Sequence, residues 1–179
     1  MKKIIISVCL LLLLTGCTNT DNEESNNDAD YNALNKTILD NEEYLSESNN
    51  FDINIVTNDL GDGTFRYYLI VDNPKIAMYD VVAMACDVKN INIDTEFMCP
   101  NVGIYEGLQY NMIPNQSNKD QNYIKGFSLS GISDTEDITL KIVVVWNNLN
   151  DTKKFKEFIS ITNVADETEV DSIEENINE

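Results

Sequence analysis

From Phe51 onward, apolar and polar residues alternate along the chain with a period of two. Phe51, Ile53 and Ile55 form the first such run, and the clearest one extends from Ile138 to Trp146. Successive side chains of a β-strand point to opposite faces, so this period predicts half-buried strands. Segments rich in Asn, Asp, Gly and Pro separate the runs, and the densest of them, residues 58–63, predicts a hairpin turn.

These runs predict an all-β domain with antiparallel strands. The predicted strands lie at residues 51–55, 64–72, 76–88, 95–105, 108–113, 123–130, 138–146 and 153–161, and a turn is expected at 131–136. Seven or eight short strands with regular turns and no convincing internal helix are typical of a β-sandwich. Residues 51–162 have about the length of an immunoglobulin-like domain and resemble one in pattern, although they lack a cysteine–tryptophan–cysteine framework of antibody type.

The segments that flank this domain differ from it in composition. Residues 17–50 predict a flexible tether, because residues 18–30 are almost all Asn, Asp, Glu, Ser and Thr. Two interpretations of the part that follows stay open, a short amphipathic helix with Asp30 as its N-cap or a continued tether. Residues 163–179 are acidic and predict a disordered tail. The apolar residues that recur at roughly helical spacing are Tyr31, Leu34, Ile38, Leu39 and Leu45.

The predicted strand at 64–72 has two different faces. Phe65, Tyr67, Leu69 and Val71 form the apolar face, and Arg66, Tyr68 and Ile70 form the other. If this strand lies at the edge of a sheet, the second face is a candidate surface for a protein partner. If it lies in the centre of a sheet, the same residues are its second face.

The N-terminus carries a charged, then apolar, then small-residue pattern. Lys2 and Lys3 precede an apolar stretch, residues 4–14, which ends in Leu14-Thr15-Gly16-Cys17. At about 1.5 Å of rise per residue, this stretch is too short to span a hydrocarbon core of roughly 30 Å, and it predicts a signal peptide. The four residues that end it resemble the lipobox of bacterial lipoproteins. The resemblance implies cleavage after residue 16 and diacylation of the Cys17 thiol, whereas the alternative is a secreted protein without a lipid.

A lipid-anchored chain of this kind lies outside the cytoplasm, attached to the cell membrane, and two acyl chains suffice for stable attachment. Removing residues 1–16 from 179 leaves 163 residues, enough for one domain with a hydrophobic core. Losing Lys2 and Lys3 changes the net charge from −19 to −21. Such acidity repels nucleic acid and anionic headgroups, so neither is expected as a partner. The composition suits an AT-rich genome and a Gram-positive host.

Cys86 and Cys99 are the only other cysteines of the mature chain. They lie on either side of the turn predicted at 89–94, and a hairpin closed there would place them opposite each other, where a disulfide fits. An oxidising compartment permits the bond, which would stabilise the domain by roughly 3 kcal/mol on a chain-entropy model. The alternative is two separate buried thiols.

The chain has no histidine, which excludes Ser-His-Asp and Cys-His catalysis and histidine-bound zinc. An enzyme would need paired carboxylates or a lysine, and Asp80, Asp87, Asp94 and Glu96 are candidates only by residue type. Residues 58–63 do not begin an EF-hand calcium loop. In a twelve-residue loop that starts at Asn58, Leu60 and Leu69 would occupy positions three and twelve, which require oxygen ligands. We therefore predict a non-catalytic protein with no cofactor and no metal site.

Three functional hypotheses remain after these exclusions. The first is a binding or accessory domain that contacts another protein at the cell envelope. The second is an adhesion module that binds carbohydrate or calcium, and the third is an accessory subunit of a secretion, conjugation or transport complex. A flexible tether suits the first and the third, because it lets an anchored domain search its surroundings.

The anchor prediction is tested by replacing the cysteine that would carry the lipid. In cells, Cys17→Ala should move the protein from the membrane fraction to the soluble fraction, because the thiol that would carry the acyl chains is gone. Cys9→Ala is the matched control and should stay with membranes. A Cys17→Ala protein that still fractionates with membranes would contradict the assignment.

Overall fold

The structure is a computed structural model that describes residues 20–89 and 98–163. Within these ranges it contains one α-helix, α1, at Thr20–Asp40 and nine β-strands. The strands are β1 Asp52–Asp59, β2 Phe65–Asp72, β3 Tyr79–Asp87, β4 Asn101–Val102, β5 Asn111–Met112, β6 Tyr123–Ile124, β7 Gly126–Ser133, β8 Ile138–Asn147 and β9 Lys154–Asn163. The prediction that this chain is mostly β is confirmed.

Two antiparallel sheets contain most of the strands. The three-stranded sheet has the order β1-β2-β7, and the four-stranded sheet has the order β4-β3-β8-β9. Side chains from both sheets meet in one core, to which β2 contributes Leu69 and Val71 and β8 contributes Ile142 and Trp146. The short β5 and β6 form a parallel pair, which a bridge from Met112 to Met78 joins to the chain just before β3.

Strand β8 shows how the apolar pattern decides burial. Its side chains alternate between buried and half-buried up to Lys141, and from Ile142 to Trp146 all five are buried. Within that run Ile142, Val144 and Trp146 belong to the core between the sheets, and Val143 and Val145 belong to a second cluster on the outer side. A strand that is covered on both faces is expected to be continuously apolar.

Helix α1 covers the outer side of the four-stranded sheet. Tyr31 and Ile38 are buried there, and Leu34 packs against the same cluster. The spacing of three and four residues places these side chains on one stripe of a helix. In isolation the sequence has little tendency to form a helix, so this packing must supply most of the stability of α1. The buried side chains that line this cluster from the sheet and from the residues beside β4 are Met84, Cys86, Cys99, Ile104, Val143 and Val145.

The structure corrects the prediction for residues 17–50 in two respects. The helix starts at Thr20, so Asp30 lies inside it instead of capping it, and the residues expected as tether are helical from Thr20. Asn35 is buried on the packed stripe, whereas Leu39 and Leu45 are exposed. Propensity and composition missed the early start, because a sequence pattern gives no information about the sheet on which the helix packs.

The segment that follows the helix is also held against the domain. The hydroxyl of Tyr44 donates to the carbonyl oxygen of Ile38 at 2.7 Å, where the helix ends. The carboxylate of Glu157 on β9 accepts hydrogen bonds from Ser48 Oγ at 2.6 Å and from Asn50 Nδ2. The packed structure therefore begins before Phe51, where the sequence predicted the domain to start.

Several predicted strand limits change, and one predicted turn begins later than expected. Strand β7 continues to Ser133, which pairs with Phe65, so the turn expected at residues 131–136 lies at 134–137. Gly131 lies opposite Tyr67 in this pairing, and a Cβ at Gly131 would approach the Tyr67 hydroxyl oxygen to 2.3 Å and its ring to 2.4–2.7 Å. The glycine makes room for an aromatic ring, so its presence is explained by packing within a strand instead of a turn.

Some predictions fall outside the described residues. Cys17 and the signal sequence, most of the turn at 89–94, and the tail after Asn163 all lie there. Of the strand predicted at 95–105, only Asn101–Val102 is a strand within the described part. The two ranges that the structure describes contain no helix long and apolar enough to cross a membrane.

The contact between Gly131 and Tyr67 predicts that adding a methyl group at position 131 lowers the stability of the fold. Gly131→Ala should destabilise the folded protein by about 1–3 kcal/mol, because the tyrosine ring must move out of a packed position. Urea denaturation measures the change. Ser130→Ala, at the neighbouring exposed position, is the control and should change the free energy of unfolding by less than about 0.5 kcal/mol. Equal midpoints for Gly131→Ala and the unmodified chain would contradict this packing.

Candidate functional site

Three of the predicted site residues lie together on the outer side of the three-stranded sheet. Arg66, Tyr68 and Ile70 lie along it on β2, all half-buried. The register places Val56 of β1 and Ser130 of β7 on either side of Tyr68. It also places Ile132 beside Arg66 and Ser128 beside Ile70. We call these seven residues the outer sheet face.

Because β2 is the central strand of its sheet, the edge-strand alternative for Arg66, Tyr68 and Ile70 is wrong. They form the second face of a central strand. Their cross-strand neighbours add two apolar side chains that the sequence analysis missed, Val56 with 42% of its surface exposed and Ile132 with 53%. Only the strand register could reveal them, because β1 and β7 are separated by more than sixty residues.

The two sheets differ in what covers their outer sides. Helix α1 packs over the four-stranded sheet and buries Val143 and Val145. Among the described residues, no helix packs over the outer sheet face, where Val56 and Ile132 remain exposed. The exposed side of the domain is therefore the one that carries Arg66, Tyr68 and Ile70.

In the structure, Cys86 and Cys99 form a disulfide, with their Cα atoms 5.0 Å apart. Strand β3 pairs with β4 at Ala83 and Val102, and continuing that register brings the two cysteines opposite each other. Both are buried, beneath α1. The backbone N–H of Cys99 donates to the Tyr31 hydroxyl at 2.7 Å, so the bonded loop also helps to hold the helix.

A groove of about 580 Å³ runs beside β7, between that strand and the residues around Cys99. This volume lies within the range of small-ligand pockets. Asp87, with 6% of its surface exposed, lies among the lining residues. Its carboxylate accepts hydrogen bonds from the backbone N–H of Lys89 at 3.0 Å and from Ser133 Oγ at 3.4 Å. The groove, which we call the β7 groove, is lined by Thr64, Arg66, Tyr67, Asp87, Met98, Cys99, Pro100, Ser130, Gly131, Ile132, Ser133 and Asp134.

Tyr67 is the most perturbed titratable group in the β7 groove. Burial of its ring, and secondly the nearby charge of Asp87, raise the pKa of the Tyr67 phenol to about 12. Both effects disfavour the phenolate. The hydroxyl therefore keeps its proton to a higher pH than an exposed tyrosine does.

The carboxylates considered as catalytic candidates are not brought together. Asp80 lies near the start of β3, where its backbone N–H donates to Asn111 Oδ1 at 3.1 Å. Asp87 ends the same strand, and the regularly paired part that lies between them, from Val82 to Asp87, spans about 17 Å. Asp94 and Glu96 lie outside the described residues. Over the ranges 20–89 and 98–163, no group of three or more His, Cys, Asp or Glu residues is arranged to hold a metal ion.

Comparisons of this chain with protein-family models, with curated proteins and with solved structures found no match. The outer sheet face and the β7 groove are the two structural features that bear on a binding role.

The raised pKa of Tyr67 predicts how stability responds to alkali. A phenol whose pKa is higher in the folded state stabilises the fold below about pH 10, and this contribution is lost as the pH rises towards 12. Between pH 9 and pH 11, Tyr67→Phe should therefore lose about 1 kcal/mol less stability than the unmodified protein. Urea denaturation of both chains at the two pH values measures the difference. Equal losses would show that Tyr67 ionises as readily in the folded chain as in the unfolded one.

Proposed function

We propose that this protein is a membrane-anchored extracytoplasmic lipoprotein with a non-catalytic domain that binds another protein at the cell envelope. The lipobox-like sequence at Cys17 supports the anchor. The outer sheet face supports the binding role. The separation of Asp80 from Asp87 along β3 supports a role without catalysis.

We infer that the domain is immunoglobulin-like. In that fold, strands A, B and E share one sheet, and C, F and G share the other, to which variable domains add C′. Assigning β1, β2 and β7 to A, B and E, and β3, β4, β8 and β9 to C, C′, F and G, gives the observed strand orders. Strand D is absent from this assignment, and the short β5–β6 pair occupies its place in the sequence.

The observation that carries the binding role is the difference between the two outer sides of the domain. One side is covered by α1, and the other exposes Val56 and Ile132 around Tyr68. Tyrosine and arginine are enriched at protein interfaces, because each combines a large contact area with a polar end. Exposed apolar side chains between them give a partner surface to bury.

The position of the anchor is compatible with this surface. Cys17 lies three residues before Thr20, the first described residue of α1. The helix packs on the four-stranded sheet, on the opposite side of the domain from the outer sheet face. A lipid at Cys17 would therefore attach the domain through its covered side and leave Tyr68 available to a partner.

Photo-crosslinking in the host cells tests the proposal. The full-length protein carries a photoreactive amino acid at Val56, on the outer sheet face, or at Leu149, an exposed apolar residue in the turn between β8 and β9. We expect Val56 to capture one defined protein that Leu149 does not capture. Tyr68→Ala should lower this capture at least about fivefold, the effect of losing more than 1 kcal/mol at a hot spot.

Leu149→Ala is the matched control for Tyr68→Ala, because it also truncates an exposed side chain, and it should leave capture unchanged. If Val56 and Leu149 give the same background of products, the outer sheet face does not bind a protein partner and the proposed function is wrong.

A further inference from the structure

We propose that the edge of β7 is a site for strand addition, at which an extended segment of the partner protein pairs with β7 and becomes the fourth strand of the three-stranded sheet. This inference rests on the proposed function and specifies how the partner is bound. Ser128, Ser130 and Ile132 of β7 also belong to the outer sheet face, so the added strand would extend that face without a break.

The hydrogen-bond register shows which backbone groups point outward. The N–H of Leu60 donates to the carbonyl oxygen of Thr64 at the hairpin end, and bonded pairs alternate along antiparallel strands. Carried across β2, this alternation directs the backbone groups of Phe127, Leu129, Gly131 and Ser133 toward β2. The groups of Ser128, Ser130 and Ile132 then point away from the sheet, where an incoming strand can bond to them.

β7 also lacks the features that usually protect a sheet edge. Its eight residues, GFSLSGIS, contain no charge and no proline. By contrast, β9 carries lysines and bonds to Leu45, whose N–H donates to Phe158 and whose carbonyl accepts from Ser160. Strand β1 carries aspartates at both ends and packs beside β9, where Asn163 Nδ2 donates to Thr57 Oγ1 at 2.9 Å. An uncharged edge of this length is an exposed template for pairing.

The β7 groove lies along this edge and can receive side chains from the added strand. Its near wall is formed by residues 130–134, and its far wall includes Met98, which is 57% exposed, and Pro100. In strand addition, main-chain bonds supply affinity, and a pocket for alternate side chains supplies specificity. The apolar walls and the net charge of −19 favour a segment with apolar residues at alternate positions and no net negative charge.

The assignment of strands gives an independent reason for the vacancy at this edge. In an immunoglobulin-like sheet with the order A-B-E-D, strand D pairs with E, which corresponds to β7. Here the residues between β4 and β7 form β5 and β6, which pair with each other and bridge to Met78 instead of to β7. Within the described residues the D position has no strand, and this is the position that the partner would fill.

Amide hydrogen exchange of the full-length protein in detergent, followed by NMR, tests the edge without a substitution. The N–H groups of Ser128 and Ser130 should exchange rapidly, whereas those of Phe127 and Leu129, bonded to β2, should be protected. Protection of Ser128 and Ser130 in the protein alone would show that another part of the chain already occupies the edge, and it would overturn the proposal.

A phage-displayed library of random nine-residue peptides, selected on the same protein, supplies the probe. The most enriched peptide, synthesised and added in excess, should slow exchange at Ser128 and Ser130 at least tenfold. Ser130→Pro removes one outward N–H, and Ser128→Pro removes another; either should weaken peptide binding at least tenfold. Lys156→Pro, which removes an outward N–H from the β9 edge, is the matched control and should bind normally.

Failure of this inference differs from failure of the proposed function. A partner captured at Val56, with no peptide selected or with unchanged binding by folded Ser128→Pro and Ser130→Pro chains, would overturn strand addition and leave the proposed function standing. Absence of capture at Val56 would overturn the proposed function itself.

Discussion

Burial of β8 on both of its faces is the constraint on which the rest of this structure depends. One contact between two sheets cannot bury all of the residues from Ile142 to Trp146, because their side chains point alternately to the two faces of the strand. Ile142, Val144 and Trp146 fill the core, and α1 covers Val143 and Val145. Full burial of each such side chain stabilises the fold by about 1.5–3 kcal/mol. Helix α1 has poor intrinsic propensity, so it depends on this packing energy in order to form.

The covering helix makes the two sides of the domain unequal. Tyr31 packs over the sheet and accepts a hydrogen bond from Cys99, so the helix, the disulfide and the four-stranded sheet form one packed layer. The three-stranded sheet has no such layer among the described residues. Its central strand carries Tyr68, and its last strand has an uncharged edge. The surface suited to binding is thus a consequence of where the helix packs.

Much of the fold could be predicted from the sequence, because the alternation of apolar and polar residues that indicates a strand is a local property. The strands at 64–72 and 138–146 were predicted within one residue of β2 and β8, and the inward residues of β2 were also predicted. The turn expected at 131–136 begins three residues later, because Gly131 lies within β7, where it makes room for the ring of Tyr67 on a strand more than sixty residues away. The predicted start of the helix at Asp30 was wrong because α1 is stabilised by packing on a sheet that is distant in sequence.

The sequence by itself determined the mostly β character, the position of the strong strands, the placement of Cys86 and Cys99 on either side of one turn, and the three residues Arg66, Tyr68 and Ile70 as one strand face. All of these depend on periods of two or on spacing about a turn, which are local properties. Only the tertiary structure decided that β2 is central, that Val56 and Ile132 join its outer face, and that β7 ends the sheet. Those facts depend on strand order and register, which are set by contacts between residues far apart in the chain.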